Sequence, residues 1–519
     1  MNMTDAIRVA VKNIATHGDT DIFPLPFETL AFFDDPAAVQ SVVEKLDKSF
    51  ETSLPARSPT SIEALAQVGY SGFRWAMQID PFWNAYYLAL VIKLAKKIET
   101  QRLPQKQQSV FSYRYKWDEV SGRLFTDSHW NDYRRRALSL AESHSYVVVT
   151  DIADFYTRIY HHRVENALYR FEPSSSTTVR RLMKLLQVFS RATSYGLPVG
   201  GPASRMLSEL ALNDADQHLS TQKITFCRYS DDYTMFCRSK SDAYKALVLL
   251  SEKLFNEGLA LQKKKTRILT AAEFKDSSAL LDPQKPHENS GSDERKLLSI
   301  SIRYDPYAAN AEKEYKALKV AMKHIDVIGI LGREVAKPAI DTAVSRQAIA
   351  AIRALNKKDQ ERALRTLLDQ ENLAVLLPVF VSVLRAVRDL YSELSTAAQD
   401  YIDDALIALY DSESFLLSLD LHLSYFVQAL GQRRSARKEQ VLSEIHAKST
   451  STLVRRLVIL AMANWNCHYW ISDVIKRTYS TASAWEKRSM IAASHILGDE
   501  GDHWRKHTKL SWPDEDKVI

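Results

Sequence analysis

Two adjacent carboxylates, Asp231 and Asp232, interrupt the stretch ITFCRYSDDYTMFCR (residues 224–238). Ile224, Thr225, Phe226, Cys227 and Tyr229 before them, and Tyr233, Thr234, Met235 and Phe236 after, favour strands. The stretch therefore predicts a hairpin with the acids at its turn. A third acid, Asp151, closes the run of β-formers in YVVVTDI (residues 146–152), which suits a buried strand. A carboxylate ending a row of valines is costly to bury unless it is paired or binds a metal. If that strand lies beside the hairpin, the three acids converge, and each resists ionisation unless cations sit among them. Hard carboxylate oxygens select Mg²⁺ or Mn²⁺. Two such ions ~3.5–4 Å apart would activate a 3′-hydroxyl, stabilise the developing charge and assist a leaving pyrophosphate, which is nucleotidyl transfer. The plainer account of an Asp-Asp pair, a solvated turn, leaves Asp151 unexplained.

Positioning these acids requires a sheet and the helices that cover it. After the hairpin, DAYKALVLLSEKLFNEGL is amphipathic and stops at Gly258, as a helix would. LALQKKKTRIL (residues 259–269) returns to short strand-like pieces. LDPQKPHENSGSDERK (residues 281–296) collects Pro, Gly, Ser and charge, and predicts a loop or linker. Beyond about residue 310 the pattern is helical, with apolar residues recurring in Ala348/Ala351/Ile352/Leu355, Ile402/Ala405/Leu406/Leu409 and Val454/Leu457/Val458/Ala461. Helices with short polar breaks predict stacked antiparallel pairs, although no fixed repeat period is present. The sequence thus divides into residues 1–310, with the chemistry between 146 and 270, and a helical part, 311–519.

A chain of 519 residues exceeds one ordinary core. Its 45% hydrophobic and 25% charged residues are those of a soluble globular protein, with no apolar run of membrane-spanning length and no signal-peptide core. Three cysteines, Cys227, Cys237 and Cys467, neither form a disulfide framework nor show metal-ligand spacing, and a cytoplasmic location is expected. The net charge of +6 allows a polyanionic partner. Basic clusters at Arg134–Arg136, Arg180–Arg181 and Lys263–Lys265 equally fit solvated helix faces.

With these readings in place, the sequence resembles the reverse transcriptases. YSDD (residues 229–232) resembles their Tyr-x-Asp-Asp hairpin, and DIADFY the strand-plus-aromatic motif that precedes it. YGLPVGGPASRMLSELAL is similar to their Leu-Pro-Gln-Gly loop and helix, and GLALQKKKT to their Gly-Leu…Lys-Thr motif. The resemblance implies an α+β palm and fingers in which Asp151, Asp231 and Asp232 bind the metals. Tyr156 would abut the sugar and exclude a 2′-hydroxyl, or simply be a core tyrosine. Lys265 would lie near the triphosphate, or be one more solvated lysine. Gly200 and Ser204 would lie at the nucleotide or primer surface, though Ser204 equally suits a helix cap. The family's usual Gln is Val199 here, which cannot hydrogen-bond near the sugar and the templating pair.

The N-terminal stretches IATHGDTDIFPLPFE, IDPFWNAYYLALVIKLA and SVFSYRY resemble the abortive-infection (Abi-type) reverse transcriptases of bacteria and prophages, which share Leu-Pro-Val-Gly and an all-helical C-terminal region. That resemblance implies a HEAT-like helical-repeat domain and a Mg²⁺-dependent polymerase (Mn²⁺ being the alternative ion). Such an enzyme consumes dNTPs without a template, primes on its own hydroxyl, and leaves DNA attached to the protein. It would act in antiphage defence as a homo-oligomer, away from membranes. Arg114 would be a fingers residue on the triphosphate, or a salt-bridged structural arginine. For priming, Tyr70 is the most N-terminal of 23 tyrosines, and RYDPYAANAEKEY (residues 303–315) offers others. The competing readings are a conventional RNA-templated reverse transcriptase and a non-catalytic scaffold that binds a phage or host protein through its helices.

Overall fold

The computed structural model describes residues 1–126, 130–191, 193–279, 293–294, 297, 325–509 and 512–518. The chain divides into two compact units, one of Met1–Ser61 with Ala76–Leu280 and Val518, the other of Ile62–Trp75 with Leu281–Lys517 and Ile519. The boundary expected at residue 310, and most of the expected linker, lie outside the described residues.

The first unit opens with helices α1 (Met3–His17), α2 (Thr29–Asp34), α3 (Pro36–Lys48) and α4 (Phe50–Ala56). A hairpin of β1 (Ser61–Val68) and β2 (Gly72–Ile79), whose residues 62–75 belong to the second unit, precedes α5 (Pro81–Gln101), in which residues 81–92 are all buried. A second hairpin, β3 (Tyr115–Asp118) and β4 (Arg123–Phe125), is followed by α6 (Trp130–Glu142). Strand β5 (Tyr146–Asp151) gives way to α7 (Phe155–Arg158), α8 (His161–Tyr169), α9 (Thr177–Phe189) and α10 (Pro202–Thr221). Then come β6 (Thr225–Tyr229), β7 (Asp232–Cys237), α11 (Lys240–Asn256), β8 (Arg267–Thr270) and α12 (Ala271–Ala279).

Four of these strands form one antiparallel sheet in the order β6-β7-β5-β8, so the valine-rich β5 is central. Successive side chains of a strand leave opposite faces, and Val147 and Val148 are both fully buried because both faces are covered. Helices α6 and α12 close one face over Phe111, Tyr133, Ala137, Val147, Cys227, Phe236 and Phe274. Helix α11 lies against β5, β7 and β8, and contributes Leu250 and Leu254 to the core. Its start is capped by Ser239, whose hydroxyl accepts from the Asp242 amide. After its end Gly258 is left-handed (φ +81°), where a Cβ would fall 2.0 Å from the Tyr160 ring, so the glycine stop is compulsory.

The described part of the second unit is helical apart from residues 62–75. Helix Phe380–Leu390 packs on Asp420–Leu430, that helix on Thr452–Asn464, and that in turn on Ala484–Ala493. Each element therefore meets the next but one, with the intervening helices beside them. The apolar spacing seen in the sequence is what gets buried: Ala348, Ala351 and Ile352, then Ile402, Leu406 and Leu409, then Val454, Val458 and Ala461. Serines and acids at the helix starts cap them, including a reciprocal Ser483–Glu486 box. Among the described residues no helix is long and apolar enough to cross a membrane, and the three cysteines are free and buried.

Candidate active site

The antiparallel register of β5 and β7 sets Asp151 directly opposite Asp232. Side chains at such paired positions share a face, with Cβ atoms about 5 Å apart. The turn before Asp232 is only two residues long, Ser230 and Asp231, because Tyr229 pairs with Asp232. Ser230 adopts φ +55°, the left-handed geometry that lets a tight turn follow the strand twist. Asp231 is brought beside Asp151 through its carbonyl, which accepts from the Ile152 amide at 3.2 Å. The three acids thus lie together at one end of the central strands.

Lys265 joins them. The Gln262 amide donates to the Asp151 carbonyl at 2.7 Å, and the turn from Gln262 to Lys265 swings the lysine back so that Nζ is ion-paired with Asp151 Oδ2. The other carboxylate oxygen, Asp151 Oδ1, is buried and has no hydrogen-bond partner. Burial, with Asp231 and Asp151 adding repulsion against the partial relief of Lys265, pushes Asp232 up to about 7. Burial works against the Lys265 ammonium, but its bond to Asp151 and the charges of Asp232 and Asp231 outweigh this and raise its pKa. An orphaned carboxylate oxygen and an acid that resists ionisation are what a hard divalent cation would relieve, so the donor set fits one. Among the described residues no three acidic, imidazole or thiol groups are closed round a metal-sized point. Lys265 holds one Asp151 oxygen instead.

Tyr156 belongs to the same cluster. Its carbonyl accepts from Leu197 of the LPVGG loop at 2.8 Å, and burial raises the pKa of its phenol, with the Ser208 and Ser230 hydroxyls offsetting part of this. Gly200 has φ +126°, and a Cβ there would lie 2.3 Å from Thr20 Oγ1, so the loop closes on the N-terminal segment only with glycine. Val199 is buried at 6% exposure. Two expected contacts are placed elsewhere. Ser204 is buried, with its hydroxyl 3.2 Å from Tyr87 Oη, and faces neither surface nor cap. Arg114 is buried and points inward, donating to Glu99 Oε1 at 2.8 Å, to the Leu103 carbonyl at 2.8 Å and to the Val110 carbonyl at 3.0 Å. Those bonds occupy its fork, which makes it the salt-bridged structural arginine.

Beneath the turn lies a charge network absent from the sequence reading. Arg228 of β6 is fully buried and donates to Glu209 Oε2 at 2.9 Å, to Asp216 Oδ2 at 2.6 Å and to the Ser230 carbonyl at 2.7 Å. Glu209 also pairs with Arg102 and accepts from Ser112 Oγ at 2.5 Å, while the same hydroxyl accepts from the Ser230 amide at 2.8 Å. Burial alone would raise Glu209, yet Arg228 and Arg102 hold it below the usual carboxylate range. Asp216, with Arg228 but also with Glu209 close by, stays raised by burial. Both ends of the Ser230 peptide are thus fixed from below. The signal was present: Arg228 and Glu209 are charges inside otherwise apolar runs.

Residues 86–318 match the family described as Reverse transcriptase (RNA-dependent DNA polymerase), a span that contains every residue of this cluster. No curated protein matches the chain. Among solved structures, apo telomerase from Candida tropicalis aligns over 73% of this chain and 73% of its own length, at 9% identity and a TM-score of 0.30. Telomerase from Candida albicans with the TWJ fragment of telomeric RNA aligns over 86% of this chain and 69% of its own, at 12% identity and a TM-score of 0.31. Likeness that weak is no argument for function. The matched span and the acids that converge within it identify a reverse-transcriptase-type nucleotidyltransferase, a DNA polymerase.

Proposed function

We propose that this protein is a Mg²⁺-dependent DNA polymerase of the Abi type, template-independent and protein-primed, acting in antiphage abortive infection as a cytoplasmic homo-oligomer. In this reading residues 1–310 form the polymerase and 311–519 a HEAT-like repeat, for which the next-but-one helix packing is the support. The observation that carries template independence is Val199, a buried aliphatic side chain where a template-dependent relative would offer an amide.

A hydroxyl attacks the α-phosphorus of a dNTP and pyrophosphate leaves. Cations held by Asp151, Asp231 and Asp232 would supply the positive charge that this step develops against. Lys265, released from Asp151, would meet the triphosphate. Tyr156, tied through its carbonyl to Leu197, would close the pocket against a 2′-hydroxyl. The first acceptor would be a side-chain hydroxyl. Tyr70 is engaged on both sides, accepting from the Ile340 amide at 2.9 Å and donating to the Val375 carbonyl at 2.8 Å. Residues 303–315 lie outside the described residues.

The test is purified protein incubated with each dNTP and Mg²⁺, without template or primer, and resolved on a denaturing gel. A ladder of labelled, protease-sensitive species is expected. Incorporation that depends on an added RNA and copies its sequence would replace this reading with a conventional reverse transcriptase. No incorporation under either condition would sink both.

A further inference from the structure

Arg205 sits on the first turn of α10, just after the Gly200–Gly201 step and one turn before Ser208. Its guanidinium lies over the Tyr113 ring, with Cζ 5.3 Å from the centroid, and Nη2 donates to Asp21 Oδ2 at 2.9 Å. Tyr113 is itself held in a strained state. It has φ +46°, which costs a non-glycine residue on the order of 1 kcal/mol. Arg102 Nη1 secures it by donating to its carbonyl at 3.0 Å. The ring is flanked by Phe125 and Tyr229, whose centroids are 5.4 and 6.2 Å away. The charge of Arg205 reaches the phenols of both Tyr113 and Tyr156. A rigid guanidinium–aromatic stack therefore stands beside the tyrosine that is read as facing the sugar.

We propose that Arg205, stacked on Tyr113, reads the base of the incoming dNTP and favours guanine. This rests on the nucleotidyl-transfer reading and on Tyr156 facing the sugar. Three observations separate it from a phosphate clamp or a plain ion pair. Asp21 already neutralises one edge of the guanidinium, which lowers the gain from a further anion and leaves neutral acceptors as good partners. Asp21 and the Tyr113 ring together fix the plane of the fork, so little side-chain freedom is lost on binding. The arginine side chain keeps 28% exposure, enough for a ligand to reach it. The O6/N7 edge of guanine accepts two parallel N–H bonds from such a fork, and neither pyrimidine offers that pattern. With Val199 aliphatic, Arg205 supplies the polar contact that a template or an amide side chain would otherwise make.

The experiment measures kcat/KM for each dNTP alone with Mg²⁺, and equilibrium binding of the same four with Ca²⁺, using the full chain, Arg205→Met and Arg205→Lys. The unaltered protein should favour dGTP over dCTP by ~10-fold or more. Arg205→Met should bring the four within ~2-fold, and Arg205→Lys, which keeps the charge but loses the fork, should do the same. Should Arg205→Met fail to fold, Arg205→Lys carries the prediction. Equal losses for all four dNTPs, or no guanine preference at the outset, would overturn it. If no dNTP is incorporated, the polymerase reading fails by itself. The binding measurement then still decides the role of Arg205, because a guanine preference in Kd that disappears in the variants supports it and four equal affinities refute it.

Discussion

Asp151 and Asp232 are register partners across β5 and β7, one the last residue of its strand and the other the first. Like charges directly opposite each other in an antiparallel pair are destabilising, and here they are also partly shielded from water. The sheet keeps this arrangement because β5 and β7 are locked elsewhere by their apolar pairs, Val147 with Phe236 and Val148 with Met235. The strain is concentrated where a cation and a triphosphate would release it.

Asp232→Asn should therefore move activity and stability in opposite directions. Incorporation of dNTPs should fall by on the order of 10³-fold or more, since one of the carboxylates that would hold the charge-stabilising cations is lost. In EDTA at pH 8 the variant should unfold a few degrees higher, because an acid that prefers to stay protonated up to about 7 no longer has to ionise. After allowance for solvent screening the gain is on the order of 2 kcal/mol. Thermal unfolding and gel-based incorporation on the same preparation check both halves. A variant that keeps its activity would remove Asp232 from the chemistry.

Glu209→Ala should be among the most damaging single changes in the first unit. It strips a shared carboxylate from two buried guanidiniums, Arg228 and Arg102, and removing one partner of a buried ion pair costs about 3–5 kcal/mol. Ser112→Ala is the milder probe. It removes one hydroxyl between Glu209 and the Ser230 amide, for about 1–3 kcal/mol. Urea unfolding should rank the two in that order. Because Ser112 holds the turn that carries Asp231 and Asp232, its loss should lower kcat more than it alters the KM for dNTP.

What could be read in advance follows from how each residue signals itself. Asp151, Asp231 and Asp232 were legible because a carboxylate breaking a run of β-formers has few explanations, and strand pairing then fixes its partner. The helical second half was legible from period alone. For Arg114 and Ser204 motif position leaves substrate contact open beside a structural arginine and a helix cap, because it carries no information on the direction of a side chain; both turn inward, toward Glu99 and Tyr87. The Arg228–Glu209–Arg102 network escaped because its members lie on separate elements, and only the packing of α10 against both β6 and the end of α5 brings them together.

Asp19 gives a pH prediction away from the three clustered acids. It is 3% exposed and burial raises it to about 7. Gln78 Nε2 donates to its Oδ2 at 3.2 Å, while Asp19 Oδ1 and Gln78 Oε1 are buried acceptors with no donor. Burial without a neighbouring cation disfavours the charge, so the neutral acid is the form that suits the fold. The folded state then keeps a proton that the unfolded chain releases near 4. Its stabilising effect is complete below that pH and is lost as pH rises through about 7, by up to about 4 kcal/mol. Asp19→Asn, which offers the same donor at every pH, should abolish this component. Melting temperatures between pH 5 and 8 should decline less for the variant than for the unaltered protein, and parallel curves would show that Asp19 is ionised throughout.

Lys265 has two partners to choose from, and the choice predicts a split in its kinetics. It is ion-paired with Asp151 Oδ2, on a carboxylate that would hold a catalytic cation. Its side chain is otherwise 65% exposed, so the pair is worth little by itself and can be exchanged readily. A cation held at Asp151 would displace the ammonium and leave Lys265 to meet the triphosphate. Lys265→Met should accordingly tighten the binding of Mn²⁺ to the nucleotide-free protein, because a competitor for Asp151 is gone. It should also raise the KM for dNTP by about 10-fold, the loss of one charge-assisted contact of ~1.5–3 kcal/mol. Mn²⁺ titration followed by electron paramagnetic resonance reads the first effect, and steady-state incorporation the second. Weaker Mn²⁺ binding in the variant would mean that Lys265 organises Asp151 for the metal instead of holding its place.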